Sequence, residues 1–175
     1  MEIFDPTLLI VDDDRNARRA MVRELDDLGN ILDVESAEEA LKVLGTRSIH
    51  VVLSDHDMPG MCGLDLLRNV KLRWPTIQRL MITGSDDFQV AVRAINLGEV
   101  SRFVTKPWRE DELRCSVRQA IEHAGLEAEV RHLREQARHH KSTLDELEER
   151  FPGITRLRRD PTGAILLDEA ETLSG

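Results

Sequence analysis

The chain has 175 residues, in which 33 aspartates and glutamates outnumber 24 lysines and arginines for a formal net charge of −9. This balance argues against a dedicated DNA-backbone binder, which needs a surplus of cations on one face. No apolar run approaches the ~20 residues that a membrane span requires. No basic segment followed by a long apolar one marks a secretory signal, so a cytoplasmic location is expected.

Short apolar runs alternate with amphipathic stretches over residues 1–110. The runs are continuous rather than alternating, as expected of parallel strands that are covered on both faces. They occupy residues 8–11, 31–34, 49–53, 80–83 and 102–105. Because each run is followed by a helical pattern, the sequence predicts five strand–helix units and an open, doubly wound α/β sheet.

Capping and stop residues bound the predicted helices. Asp14 is expected to cap the first helix, and Gly29 to end it, while Ser36 opens the second helix as part of a capping box. Ser85 is expected to cap the fourth helix, which Gly98 ends. The residues predicted to face the sheet are Ala17, Met21, Leu25 and Leu28 in the first helix, Leu64, Leu67 and Val70 in the third, and Val90, Ala94 and Leu97 in the fourth.

The fifth helix is predicted to begin near Arg109 and to change its packing partner along its length. The face expected to pack on the sheet carries Leu113, Val117, Ala120 and Ala124. After Gly125 the apolar positions shift to alternating steps of three and four residues, the heptad spacing of a coiled coil. Heptad positions a are Val130, Ala137, Leu144 and Phe151, and positions d are Leu133, His140 and Leu147. We expect this face to form a homodimer, parallel or antiparallel; the alternatives are a solvated single helix and a face that folds back on its own domain.

These patterns divide the chain into three parts. Residues 1–124 are predicted to form one domain, residues 125–151 a coiled-coil helix that continues the fifth helix, and residues 152–175 either a small hairpin or a frayed tail. The hairpin is suggested by the sequence DPTG at 160–163, which has the residue preferences of a type I turn.

Polar side chains follow the predicted strands at the points where the strands end. The first strand runs into Asp12 and Asp13, the third ends at Asp55, the fourth ends at Thr83 and the fifth runs into Lys106. In an open α/β sheet, ligands bind beyond the carboxyl ends of the strands, where the winding reverses. The sequence therefore predicts that three acids, a hydroxyl and an ammonium group converge at one edge.

The clustered acids are suited to holding a magnesium ion. Carboxylates repel one another unless a hard cation lies among them, and Mg²⁺ accepts a few carboxylates while it keeps waters for a phosphoryl oxygen. Asp12 and Asp13 are the predicted metal ligands together with Asp55, and the backbone carbonyl of Asp57 completes the predicted shell. The Asp57 carboxylate would add negative charge close to the same site.

The remaining groups are suited to phosphoryl transfer. A carboxylate such as Asp55 can act as a nucleophile and form an aspartyl-phosphate. Lys106 would pair with one phosphoryl oxygen, and the Thr83 hydroxyl would donate a hydrogen bond to another. The sequence thus predicts a protein that accepts a phosphoryl group on Asp55.

The blocks that carry these residues resemble those of a bacterial two-component response regulator receiver domain. The blocks LLIVDDD, VVLSDHDMPGMCGLDLL, LMITGSDD and RFVTKPW occur in the family's order and at its usual spacings, within residues 5–122. The resemblance implies a flavodoxin/CheY-like fold with strand order 2-1-3-4-5. The stretch RWPTIQRLMITG and the segment AINLGEVSRFVTKPW are especially similar to receivers of hydrogenase-type regulators and HD-GYP phosphodiesterases.

The resemblance also implies specific roles. Asp55 is then the phospho-acceptor, Asp12 and Asp13 are the acidic Mg²⁺ pair, and Lys106 is the phosphate-binding lysine. Thr83 is the switch hydroxyl and Phe103 is the switch aromatic residue. The bond between Lys106 and the following proline is expected to be cis, as is common in the family.

The implied function is that of a response regulator, not an enzyme in its own right. A sensor histidine kinase or a phosphotransfer protein is the expected phosphodonor, and the output is expected to be contact with another protein rather than with nucleic acid or a membrane. The alternatives are a receiver fragment of a larger effector, such as an HD-GYP phosphodiesterase or a transcriptional regulator, and a dimerisation module with a degenerate receiver.

Overall fold

A computed structural model of the protein describes residues 4–84 and 88–151. It also describes the backbone of two short strands nearer the C-terminus, Arg158–Arg159 and Ile165–Leu166. The chain divides into two compact units, Met1–Glu129 and Val130–Gly175. Among the described residues, no helix combines the length and the hydropathy needed to cross a bilayer.

The first unit contains a five-stranded parallel sheet in the order β2-β1-β3-β4-β5. The strands are β1 Thr7–Val11, β2 Asn30–Val34, β3 Val51–Asp55, β4 Gln78–Thr83 and β5 Arg102–Thr105. The helices are α1 Arg15–Leu25, α2 Ala37–Thr46, α3 Gly63–Arg73, α4 Phe88–Asn96 and α5 Glu110–Arg150. This topology confirms the predicted fold class and strand order.

Helices cover both faces of the sheet and create two hydrophobic cores. Successive residues of β1 point to opposite faces, so that Leu9 joins the core beneath α2 and α3 while Leu8 joins the core beneath α1 and α5. All residues of β3 and β4 are buried. Double coverage is the reason why the sequence shows continuous apolar runs in place of alternation.

The predicted caps at the start of α1 and α2 are confirmed, but α1 ends at Leu25, so Gly29 does not end this helix and Leu28 lies beyond it. The Asp14 side chain accepts from the Asn16 N–H at the start of α1, and the Ser36 side chain accepts from the Glu39 N–H at the start of α2. Leu97 was predicted to face the sheet, and this is wrong: α4 ends at Asn96, Ala91 and Ala94 are buried, and Leu97 is exposed. Ser85 and the Val90 side chain lie outside the described residues.

Helix α5 begins at Glu110 and continues to Arg150. Its four predicted sheet-facing residues, Leu113, Val117, Ala120 and Ala124, are buried as expected. The large apolar residues of the heptad face behave differently, because Val130, Leu133, Leu144, Leu147 and Phe151 are between 38% and 54% exposed. The described part of the chain therefore does not bury this face.

The pairing of two short C-terminal strands agrees with the hairpin, one of the two alternatives left open for residues 152–175. Strands β6 (Arg158–Arg159) and β7 (Ile165–Leu166) pair antiparallel, with Arg158 opposite Leu166. The turn predicted at 160–163 lies outside the described residues.

Candidate functional site

The carboxyl ends of two adjacent strands bring the predicted acids together. Asp12 follows β1, Asp55 is the last residue of β3, and these two strands are neighbours in the sheet. Carboxylate oxygens of Asp12, Asp13 and Asp55 all lie within 4.8 Å of one another. Asp12 is fully buried and Asp55 is 4% exposed, whereas Asp13 is exposed to solvent.

This donor set fits a hard divalent cation. Two buried carboxylates beside a third repel one another and lose hydration, a cost that a bound cation offsets. The exposed Asp13 leaves an open side through which an ion and its waters can enter. The Asp57 carboxylate does not belong to the cluster, and Asp57 is exposed. The predicted role of its backbone carbonyl stays a prediction.

Lys106 provides the positive charge in direct contact with the cluster. Its Nζ lies 2.7 Å from Oδ1 of Asp55 and 2.9 Å from Oδ2 of Asp12. Burial lowers the pKa of the Lys106 ammonium, but hydrogen bonds from it to Asp55 and Asp12 and the charges of these acids outweigh burial and raise that pKa. Lys106 therefore stays charged. Its peptide bond to Pro107 is cis, as the resemblance implies.

The electrostatic environment of Asp55 is more unusual than that of Lys106. Burial raises its pKa, the hydrogen bond and charge of Lys106 lower it, and the charges of Asp12 and Asp57 raise it again, with a net increase. The charged carboxylate is thus poorly solvated, with Lys106 on one oxygen. A carboxylate in this state gains from any further positive charge that arrives at the site.

Of the two predicted switch residues, Thr83 lies at this edge, at the end of β4, and Phe103 lies on the neighbouring strand β5, opposite Met81. Thr83 ends β4 and is fully buried, and its hydroxyl donates to the carbonyl of Gly84 at 3.3 Å. Phe103 is half-buried and packs against the core on the α2–α3 face of the sheet. Thr83 and Phe103 therefore stand on neighbouring, hydrogen-bonded strands.

The structure adds two residues that the sequence analysis missed. Gly63 lies so close to Asp55 that a Cβ built on it would stand 1.8 Å from the Asp55 carbonyl oxygen, so no larger residue fits there. Arg18 of α1 is buried, and its Nη1 donates to the carbonyl of Asp12 at 2.6 Å. Helical spacing places Arg18, unlike its neighbour Arg19, on the face of Met21 and Leu25, but the sequence does not show that this arginine bonds to the Asp12 carbonyl.

A parallel 2-1-3-4-5 sheet with an acidic cluster and a lysine at its carboxyl edge defines a receiver-type α/β domain. The chain belongs to the family of response regulator receiver domains, whose pattern it matches over residues 8–118. Members of this family work in two-component signalling, bind Mg²⁺ in an acidic pocket and interact with histidine kinases or phosphotransfer proteins.

Known relatives extend this assignment. The hydrogenase transcriptional regulatory protein HoxA of Cupriavidus necator is 37% identical over 127 residues, which are 73% of this chain and 26% of that protein. The C4-dicarboxylate transport transcriptional regulatory protein DctD of Pseudomonas aeruginosa is 34% identical over 170 residues, 95% of this chain and 36% of that protein. The chain thus spans between about a quarter and about a third of these relatives. The predicted similarity to hydrogenase-type regulators is confirmed.

Solved structures agree with the fold. The signal receiver domain of an HD domain-containing protein from Pseudomonas fluorescens Pf-5 is 32% identical, with a TM-score of 0.65 over 70% of this chain and 98% of that one. NtrX from Brucella abortus is 30% identical, with a TM-score of 0.68 over 74% of this chain and 30% of that one.

Proposed function

We propose that the protein is a phosphorylation switch that accepts a phosphoryl group on Asp55 from a sensor histidine kinase or a phosphotransfer protein. One observation carries this proposal: a 4%-exposed carboxylate lies beside two others, with a lysine ammonium 2.7 Å from one of its oxygens. A purely structural cluster would balance its charges. The cluster of Asp12, Asp13 and Asp55 has an excess of negative charge and is open to solvent on the side of Asp13.

The proposed reaction uses the second Asp55 oxygen as the nucleophile, because Lys106 occupies the first. That oxygen forms a bond to phosphorus while the bond from phosphorus to the donor's imidazole nitrogen breaks, and the nitrogen keeps the electron pair. Lys106 then lies where it can pair with a phosphoryl oxygen. A magnesium ion held by Asp12, Asp13, Asp55 and the Asp57 carbonyl would supply Lewis-acid neutralisation of the phosphoryl charge. The chain acts on its own phosphorylation and dephosphorylation only.

The proposed switch begins at Thr83. Its hydroxyl exchanges the weak 3.3 Å bond to the Gly84 carbonyl for a phosphoryl oxygen, which is a stronger, charged acceptor. This movement vacates space beside β5, and the half-buried Phe103 ring turns inward to fill it. The surface formed by α4, β5 and α5 is remodelled as a result.

We further propose that the output state is a homodimer formed through the heptad face. The exposed seam residues repeat at coiled-coil spacing, and Leu126, one heptad before Leu133, extends the seam and is exposed too. Because α5 is one helix from Glu110 to Arg150, changes in its packing on the receiver can alter the dimer. The Leu126→Gly substitution, which places glycine at both 125 and 126, should uncouple phosphorylation of the receiver from any change in the dimer. A dimer that still responds to phosphorylation in this variant would refute transmission through a rigid α5.

Phosphorylation is tested with a radiolabelled small-molecule donor such as acetyl phosphate, in the presence of Mg²⁺. We expect acid-labile, base-labile label on the wild-type chain and none on Asp55→Asn, with an unchanged circular dichroism spectrum. Asp57→Asn serves as the matched control and should retain the label. Label on the Asp55→Asn variant would refute the assignment.

Dimerisation is tested by light scattering with and without beryllofluoride. We expect Leu133→Glu and Leu144→Glu to abolish the dimer, because a charge at a seam position is buried in the dimer. Leu72→Glu is the control, since Leu72 is also an exposed leucine but lies on α3. A wild-type chain that is monomeric in both conditions would refute the dimer.

A second candidate is a receiver that forms part of a larger regulator. It is favoured by the observation that the chain spans 26% of HoxA, which is described as a transcriptional regulatory protein. The complete reading frame, and salt-dependent retention of its full product on DNA, distinguish this candidate from a stand-alone switch. We expect no DNA retention by the present chain, given its net charge of −9.

A further inference from the structure

Arg18 is a buried cation beneath the acidic cluster that the proposed phosphoryl transfer does not use. Its side chain is 11% exposed, although arginine is almost never buried without a partner. The Nη1 group donates to the Asp12 carbonyl at 2.6 Å, and Nε donates to the Asp33 carboxylate at 3.2 Å. Glu35 lies farther away, with its carboxylate 3.9 Å from Nη2.

These bonds join three elements at the edge of the sheet. Arg18 belongs to α1, Asp12 follows β1 and Asp33 belongs to the edge strand β2. The guanidinium group is planar, so bonds from two of its nitrogens fix its orientation as well as its position. The carbonyl of Asp12 is consequently held in one direction by a charge-assisted hydrogen bond.

Asp12 is thus restrained at both ends. Its carboxylate accepts from the Asp14 N–H at 2.8 Å and from Lys106 Nζ at 2.9 Å, while its carbonyl accepts from Arg18 at 2.6 Å. The next peptide unit carries Asp13, whose exposed side chain makes no hydrogen bond to the other described residues and depends on the backbone for its position. Rotation of the peptide unit after Asp12 would therefore move the Asp13 carboxylate away from Asp12 and Asp55.

We propose that Arg18 is a positioning residue for the divalent metal site, and that the edge strand β2 holds Arg18 in place through Asp33. This inference rests on the metal site of the proposed function but not on phosphorylation of Asp55. Removal of a residue that hydrogen-bonds to a metal-binding residue and orients it typically weakens metal affinity 10- to 100-fold.

The primary test measures Mg²⁺ binding to the unphosphorylated chain by isothermal titration calorimetry. We expect Arg18→Gln to weaken Mg²⁺ binding about tenfold. Arg19→Gln is the matched control, because Arg19 is the next residue of α1 and is exposed, and its substitution removes the same charge. It should change the affinity by less than about twofold, given screening of exposed charges. Equal weakening of Mg²⁺ binding by the two variants would refute the positioning role of Arg18.

Two further variants examine the geometry. Arg18→Lys keeps the charge but loses the planar fork, so we expect most of the defect to persist; full recovery of Mg²⁺ affinity would overturn the proposal. Asp33→Asn should weaken binding about threefold in the wild-type background and little in the Arg18→Gln background, because both act through one hydrogen-bonded unit. Strictly additive effects would contradict the proposed role of β2.

If Arg18 only stabilised the fold, its substitution would lower the melting temperature without changing the Mg²⁺ affinity. Titrations are performed well below the melting temperature of each variant, and a lower melting temperature with unchanged Mg²⁺ affinity would refute the proposal. With acetyl phosphate, the Mg²⁺ concentration for half-maximal phosphorylation should rise while the rate at saturating Mg²⁺ stays within about threefold, as expected when ground-state metal binding is lost. Because calorimetry needs no phosphoryl transfer, failure of the Asp55 assignment would leave this result interpretable.

Discussion

The amino and carboxyl ends of the parallel strands both bury polar side chains, but the charges at the two ends are balanced in opposite ways. At the amino end, the Arg79 guanidinium donates to the carbonyls of Pro75, Ile77 and Glu99. Beside it, the Gln78 side chain bonds to Ser101 and Glu127. At the carboxyl end, three carboxylates crowd together with one contacting ammonium group.

This difference shows how buried polar groups divide between stability and function. Burial lowers the pKa of Arg79, with a partial offset from Glu127, and the main-chain carbonyls satisfy its donors. Burial instead raises the pKa of Asp55, which Lys106 offsets only in part. Buried polar groups that are fully hydrogen-bonded indicate a structural network, whereas buried like charges that are not balanced indicate a ligand-binding site.

The largest effect on stability is expected at the amino end. Arg79→Met should lower the free energy of unfolding by about 3 kcal/mol, because several buried carbonyls lose their donor. Urea denaturation measures this change. Arg102→Met, at an exposed position of β5, is the control and should cost less than about 0.5 kcal/mol. A changed Mg²⁺ affinity in folded Arg79→Met would show that the two ends are not independent.

Loss of the lysine should separate metal binding from phosphorylation at the carboxyl end. Lys106→Met should slow phosphorylation by acetyl phosphate at saturating Mg²⁺ about a hundredfold, because a donor to the transferring group is lost. The same variant should bind Mg²⁺ about threefold to tenfold more tightly, since no ammonium competes for Asp12 and Asp55. Lys71→Met on α3 should change neither quantity. Weaker Mg²⁺ binding by Lys106→Met would contradict this account.

The raised pKa of Asp55 predicts a definite pH dependence of stability. The folded protein holds the Asp55 proton more tightly than the unfolded chain, so protonation of Asp55 stabilises the fold. This stabilisation is fully present below the ordinary aspartate pKa and is lost as the pH rises through the raised pKa of Asp55 in the folded protein. In metal-free buffer, Asp55→Asn should therefore melt above the wild type at neutral pH. The gain should vanish at pH below the ordinary aspartate pKa, and a gain that persists there would exclude the charge as its cause.

The smallest effect is expected for Asp57, whose exposed carboxylate lies outside the cluster. Asp57→Asn should change the autodephosphorylation rate tenfold or less, in line with ~1 kcal/mol of local electrostatics. The half-life of the phosphorylated chain at fixed Mg²⁺ measures it. An unchanged half-life would mean that the Asp57 charge does not reach the phosphoryl group.

Much of the fold and of the central site was predictable because its determinants are local or fixed by sheet geometry. Continuous apolar runs predicted five covered strands, and parallel strands necessarily bring Asp12 and Asp55 to one edge. Leu97 was wrongly placed because helical spacing was extended past Asn96, where α4 ends. The spacing specified a face but not the residue at which the helix stops.

The sequence by itself determined the strand–helix alternation, the acids at the strand ends and the heptad spacing after Gly125, since each depends on residue type and short-range periodicity. Only the tertiary structure decided that Arg18, which shares a helix face with Met21 and Leu25, donates to the Asp12 carbonyl, and that Gly63 must lack a side chain. It also decided that the first apolar face of α5 is covered while the second stays exposed. The physical reason is that burial depends on what packs against a residue from elsewhere in the chain, and one-dimensional spacing does not contain that partner.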